Sequence, residues 1–267
     1  MSQFHRLTIK DLRNETRDAV SIAFEVPPHL QQQFHFTQGQ HLVLRTELEG
    51  EEVRRSYSIC TGVNDGELRI AVKRVAGGRF SAFANERLQP GHSLDVMPPA
   101  GRFHVELDPA RRGHYLAVAA GSGITPILSI IKSTLQTEPH SRVTLLYGNR
   151  SSNSALFREQ LEDLKNRYLQ RLNLMFVFSR ERQDIDLYNG RIDQGKCQQL
   201  FSRWLDVQQL EAAFICGPQA MTETVRDSLK AAGMPAERIH FELFHAGSDG
   251  HKRQARETAS ALDARHS

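Results

Sequence analysis

The stretch Arg55-Ser56-Tyr57-Ser58 puts a fixed cation, an aromatic ring and two hydroxyls into one strand-like run. Side chains alternate along a strand, so Arg55 and Tyr57 share one face and Ser56 and Ser58 the other. A cation beside a flat ring suits a planar molecule that carries a phosphate. Taken alone, the same residues could be a solvated strand face. A second stretch, AAGSGITP, follows an apolar run. Gly121 and Gly123 would let the backbone come close to a phosphate, and the N–H groups of a helix starting there would point at that anion. Pro126 stands where a third glycine would complete GxGxxG, and proline suits the first turn of a helix. A tight turn is the plainer reading of these residues.

Three further stretches could do related chemistry. In KRVAGGRFSAFA, a strand runs into Gly77 and Gly78 and then a helix start, with Ser81 able to cap the helix or bind phosphate. In VFSRER, Ser179 and Arg180 offer a hydroxyl and a guanidinium, the pair that a ribose 2′-phosphate needs. The adjacent Glu181 would instead suit an unphosphorylated ribose. Arg150 and Arg182 are alternative cations, and a solvated loop would explain the segment as well. In ICGPQAM, Cys216 and Gly217 are small enough to leave room for a flat ring, although a buried cysteine is usually a small hydrophobe. Together these stretches offer two phosphate-binding helix starts. One nucleotide in each half of the chain, their rings meeting between the halves, is the simplest joint reading.

The elements that must position these residues fall into two patterns. Up to about residue 110, FHRLTIKDL, DAVSIAFEV, QHLVLRTEL, EVRRSYSI, GELRIAVKRV and HSLDVMPP alternate or are rich in β-branched residues, and Pro, Gly and Asn-Asp-Gly turns separate them. Six short strands at this spacing predict a small closed antiparallel barrel, interrupted by one helix near FSAFANER. From 111 to 245, apolar runs alternate with amphipathic helices, which predicts a doubly wound α/β domain on a parallel five-stranded sheet. Its helices are expected at ITPILSIIKSTLQ, SALFREQLEDLKNRYL, DQGKCQQLFSRWL and AMTETVRDSLKAAG. Residues 246–267 read as a linker-like tail.

Bulk composition narrows the class. A chain of 267 residues with 39% hydrophobic and 24% charged residues is ordinary for a globular protein. A net charge of +3 does not argue for nucleic acid. No apolar run reaches membrane-spanning length and the N-terminus has no signal-peptide core, so a cytoplasmic location is expected. Cys60, Cys197 and Cys216 are far apart and odd in number, which argues against a disulfide framework. No Cys/His spacing predicts a metal site.

In combination, RSYS at 55–58, GGRFS at 77–81, GSGITP at 121–126, YGNR at 147–150, FSRE at 178–181 and CGP at 216–218 resemble the ferredoxin–NADP⁺ reductase superfamily, in family order. Within it the chain is similar to the reductase subunits of phenylacetyl-CoA epoxidase complexes, a likeness supported by FELF at 241–244. The resemblance implies FAD in the barrel at 1–110 and NADPH in the α/β domain at 111–245. Arg55 would pair with the flavin diphosphate, Tyr57 would stack on the isoalloxazine, and Ser58 would approach flavin N5. Gly77, Gly78 and Ser81 would cradle the diphosphate, with Ser56, Val72, Lys73, Arg79 and Phe80 completing the flavin set. Gly121, Gly123 and Thr125 would hold NADPH, with Arg150, Ser179 and Arg180 toward its 2′-phosphate. Cys216 and Gly217 would lie near the nicotinamide, and Glu242 and Phe244 near the flavin. Ser58, Cys216 and Glu242 form the expected catalytic group.

The implied function is transfer of electrons from NADPH through FAD to a one-electron acceptor. That acceptor would be a 2Fe–2S ferredoxin module and then a di-iron oxygenase of phenylacetyl-CoA degradation. The partners would be oxygenase subunits or a separate ferredoxin, with neither nucleic acid nor membrane. Members of that group carry a C-terminal ferredoxin module, whose four cluster cysteines this sequence lacks. The reading favoured here is a chain cut in the linker before that module. A stand-alone flavodoxin, ferredoxin or flavin reductase is the competing enzyme reading, and a flavin-free binding or docking module the competing non-enzyme one.

Overall fold

A computed structural model of the chain describes residues 3–244, and the expected tail at 246–267 lies outside the described residues. The first half forms β1 (His5–Thr16), β2 (Ala19–Glu25), β3 (His41–Leu48), β4 (Glu51–Ser58), β5 (Leu68–Lys73), helix α1 (Arg79–Glu86) and β6 (Ser93–Val96). These strands make one antiparallel sheet in the order β4-β3-β6-β1-β2-β5. A bridge between Ile59 and Ile70 closes it, helped by the Cys60 N–H donating to the Arg69 carbonyl at 2.9 Å. Alternation sends Leu7, Ile22, Leu42, Leu44, Ile70 and Val96 into the barrel core. The β3–β4 hairpin turns on Glu49 and Gly50, both left-handed at φ 56° and 77°. This is the pair of positive φ values that matches the twist of the flanking strands.

The second half alternates β7 (His114–Ala120), α2 (Ile124–Thr137), β8 (Arg142–Asn149), α3 (Arg158–Arg167), β9 (Leu172–Phe178), α4 (Gln194–Arg203), β10 (Ala212–Gly217), α5 (Gln219–Ala231) and β11 (Ile239–Leu243). The five strands are parallel in the order β11-β10-β7-β8-β9. Helices α2 and α3 pack one face of this sheet, and α4 and α5 the other. The α2-side core also takes in Ala19, Cys60 and Ala71 of the barrel. Helix α2 is therefore covered on both sides, and every residue from Ile124 to Leu135 is buried.

The expected architecture of a six-stranded barrel followed by a doubly wound five-stranded sheet is what the chain adopts. Helix α3 differs in extent, because it starts at Arg158 and not within Ser154–Phe157. Leu156 and Phe157 are buried, and Phe157 is left-handed at φ 57°, so the chain turns to bury this pair before the helix can begin. Among the described residues no helix is long and apolar enough to cross a membrane. Nor are three or more His, Cys, Asp or Glu side chains grouped to hold a metal ion.

Candidate functional site

The parallel sheet reverses its strand order between β7 and β10. In an open α/β sheet the crevice beyond the strand ends at such a point is where ligands bind. Strand β7 ends there in Gly121-Ser122-Gly123, a single 3₁₀ turn that leads directly into α2. Strand β10 ends there in Cys216-Gly217. The glycines serve a purpose the sequence did not reveal. A Cβ on Gly123 would lie 2.2 Å from the Cys216 carbonyl oxygen, so the two strand ends are in backbone contact. A Cβ on Gly217 would lie 2.8 Å from Met221 Cε and 3.2 Å from Ala120 Cβ. Gly121 differs from both, since it is left-handed at φ 55° with open space where a Cβ would stand. Thr125 is buried, and its hydroxyl donates to the Ser122 carbonyl at 3.0 Å, tying the turn to the helix.

Strand β11 lies beside β10, with Glu242 directly opposite Cys216 in the register. Ser58, at the end of β4, reaches the same place from the barrel and lies against the Glu242 carboxyl. The three side chains expected to act together are thus brought together across the seam between the halves. Burial pushes the Glu242 carboxyl up to about 7, against a smaller opposing effect of the Ser58 hydroxyl. Its Oε2 atom is buried without a hydrogen-bond partner. Burial also raises the Cys216 thiol well above its ordinary range, and the Glu242 charge adds to this. For Cys216 the sequence left open room for a flat ring and a buried small hydrophobe. The residue is fully buried, in the core cluster against which Phe244 packs.

On β4, Arg55 lends its guanidinium to the Arg54 carbonyl at 2.7 Å. Among the described residues it has no carboxylate partner, whereas Arg45, Arg54 and Arg79 are all ion-paired. Tyr57 stands beside it, its ring centroid 5.5 Å from that of Phe80. Burial raises the Tyr57 phenol, with Arg55 opposing, so the hydroxyl stays neutral. Ser56 is exposed on the opposite face.

The glycine pair after β5 opens a cavity of about 390 Å³ lined by Arg74, Val75, Ala76, Gly77, Gly78 and Arg79. Gly77 is left-handed at φ 70° with no atom near a Cβ position. Several neighbours are committed elsewhere. The Ser81 hydroxyl accepts from the Val75 N–H and donates to the Gly78 carbonyl, both at 3.1 Å, so it staples the loop. Arg79 binds Glu51 and the Leu48 carbonyl, which draws it to the β3–β4 turn. Phe80 and Val72 are core residues, and Phe80 acts by bracing Tyr57. Lys73 is partly buried, 3.6 Å from Asp18.

At the end of β9, Ser179 and Arg180 are exposed, and their N–H groups donate to the carbonyls of Asn149 and Arg150. Arg150 and Arg180 thereby sit on adjoining strand ends, with no ion pair among the described residues. Glu181 is occupied: the Ser152 N–H and hydroxyl both donate to its Oε2 at 2.8 Å. These bonds hold its carboxyl below the ordinary range. The sequence showed an acid beside an arginine, but not that the acid was already satisfied.

Residues 6–105 match the oxidoreductase FAD-binding domain, and residues 117–227 the oxidoreductase NAD-binding domain. Over 245 residues the chain is 51% identical to a 1,2-phenylacetyl-CoA epoxidase subunit of Escherichia coli K12, spanning 92% of this chain and 69% of that protein. The chain belongs to the ferredoxin–NADP⁺ reductase family. The ferredoxin reductase component of 3-ketosteroid-9-alpha-monooxygenase from Rhodococcus rhodochrous is 34% identical, over 90% of this chain and 65% of its own length. Among solved structures, the flavohem-like FAD/NAD-binding domain of nitric oxide dioxygenase from Vibrio cholerae superposes with a TM-score of 0.77 at 26% identity, covering 91% of this chain and 99% of that one. Membership makes the chain an oxidoreductase with FAD-binding and nicotinamide-nucleotide-binding domains. The chain offers features that fit both groups. Arg55 has no carboxylate partner among the described residues and stands beside a braced ring, Gly77 opens the backbone of a cavity, and the Glu242 Oε2 at the seam is unpartnered.

Proposed function

We propose that the chain is an NADPH-dependent flavoprotein reductase that delivers electrons from NADPH through FAD to a one-electron acceptor. The acceptor is a 2Fe–2S ferredoxin and, beyond it, the oxygenase component of a multicomponent system acting on phenylacetyl-CoA. The names of the two relatives, one from an epoxidase and one a monooxygenase reductase component, support an oxygenase partner. Three free, buried cysteines suit a reducing, cytoplasmic setting. The observation that carries the reading is the meeting of Ser58 from the barrel with Cys216 and Glu242 from the parallel sheet.

Bound FAD would supply an acceptor for the hydride of NADPH and a donor of single electrons. The chain does the positioning. Arg55 and the backbone at Gly77 and Gly78 hold the diphosphate, and Tyr57, braced by Phe80, presents a flat face to the ring. The first turn of α2 and its dipole hold the nucleotide phosphates. Arg180, Arg150 and Ser179 take the 2′-phosphate, because Glu181 is turned away to Ser152 and does not oppose it. Below about pH 7 Glu242 is neutral and can donate a hydrogen bond at the seam.

Arg180→Ala tests the nucleotide choice. Losing a charge-assisted bond should weaken NADPH binding by about 1.5–3 kcal/mol and leave NADH nearly unchanged, as read from the KM of each nucleotide in ferricyanide reduction. An equal loss for both would remove Arg180 from the 2′-phosphate.

A further inference from the structure

Ser129, Lys132, Ser133 and Gln136 of helix α2 recur at helical spacing along one stripe. A polar stripe ordinarily faces water. Here Ser129 and Ser133 are fully buried and Lys132 is 9% exposed, because the stripe faces the barrel. The loop after β4 meets it. Asp65 receives Lys132 Nζ at 2.5 Å and Gln136 Nε2 at 2.9 Å, while its Oδ2 also accepts the Gly62 N–H at 2.9 Å. The Val63 N–H donates to Ser133 Oγ at 3.0 Å. A Cβ on Gly62 would lie 2.9 Å from Lys132 Cβ, so glycine permits the loop to rest on the stem of the lysine.

This contact lies between the two halves of the proposed site. Asp65 is seven residues along the chain from Ser58, which ends β4. Lys132 is eight residues into a helix whose first turn packs on the Cys216 carbonyl, a run of about 12 Å. The barrel end bearing Ser58 and the strand end bearing Cys216 are therefore connected through one helix, to which the loop is tied by this ion pair and by the Gln136 and Ser133 hydrogen bonds. The Asp65 and Lys132 side chains are only 17% and 11% exposed. A pair so far removed from water keeps its geometry, and loss of one partner strands the other charge. Burial alone would raise the Asp65 carboxyl. Hydrogen bonds from Lys132, Gln136 and the Gly62 N–H outweigh it and keep the group ionised.

We infer that Asp65 and Lys132 form an interdomain clasp that positions the nicotinamide-binding half against the flavin-binding half for hydride transfer. They are positioning residues, since neither lies at the proposed reacting atoms. The inference rests on the proposed function for its kinetic consequence, and on the geometry alone for its structural one. A hydride donor displaced by about 1 Å can lose on the order of a hundredfold in rate, whereas each nucleotide still binds its own half.

Lys132→Met and Asp65→Asn test this in the FAD-loaded protein, with Lys132→Arg as the conservative control. Stopped-flow reduction of the flavin by NADPH should slow by roughly 10- to 100-fold in the first two. FAD retention and the Kd for NADP⁺ should stay within about threefold of the parent, and Lys132→Arg should recover most of the rate. An unchanged reduction rate overturns the inference. So does a slower rate matched by loss of FAD retention or NADP⁺ affinity, which would make the pair merely structural. If neither NADPH nor NADH reduces the parent protein, the proposed function has failed, and amide hydrogen exchange decides the clasp. Faster exchange at Val63 in both variants, with the barrel strands unchanged, supports it, and unchanged exchange at Val63 rejects it.

Discussion

Glu242 shows how one side chain joins sequence position, burial and charge. Its carboxyl stands opposite Cys216 at the end of an edge strand, where burial raises it to about 7 from the ordinary carboxylate value. The folded chain thus holds this proton more tightly than the unfolded chain does. Between about pH 4.5 and 7 stability falls as pH rises, and above 7 the full cost of a buried charge is present. Glu242→Gln should therefore leave stability unchanged near pH 4.5. At pH 8 it should stabilise the chain by up to about 3 kcal/mol, measured by urea unfolding without added FAD. A stabilisation equal at both pH values would contradict the assigned burial. At this scale the sequence was informative about residue types and less so about their engagements. Arg55 and Tyr57 could be read directly from strand alternation. Ser81 is committed to its own loop three residues back, one of the two roles its position offered, whereas Arg79 binds Glu51 and Glu181 binds Ser152 through contacts 28 and 29 positions away that no local pattern encodes.

Elements carry the site by their ends. The strand and helix periods were legible because each strand or helix buries one face or both, and the apolar pattern records that. What escaped was the reason for glycine at the strand ends. Gly123 has an ordinary helical φ of −60°, so its need for glycine comes from the Cys216 carbonyl and not from the backbone. Gly123→Ala should cost about 1–3 kcal/mol through overpacking and displace the end of β10. Gly121→Asn should cost clearly less, because asparagine tolerates left-handed φ and nothing stands within 4 Å of a Cβ there. Urea midpoints of the two variants test this, and equal losses would refute the packing account. The late start of α3 has a similar origin. Helix-forming residues lead up to Arg158, but burial of Leu156 and Phe157 takes precedence over local propensity.

In the whole molecule, two halves with separate cores meet through α2, which is buried on both sides. The two-domain architecture was readable from the switch of period near residue 110. The arrangement of the halves was not. Asp65 sits in an Asn-Asp-Gly turn that reads as a turn and nothing more, and Lys132 reads as one polar residue of an amphipathic helix. Only their meeting shows that the stripe faces a partner rather than water. The seam so formed places Ser58, Cys216 and Glu242 together, and the proposed chemistry depends on it. The most direct test is anaerobic mixing of the FAD-loaded protein with NADPH, followed by absorbance. The account predicts that the oxidised flavin bands bleach on mixing with NADPH, and more slowly with NADH. A bound flavin whose spectrum neither nucleotide changes would contradict the central claim that the two halves bring a nicotinamide to a flavin.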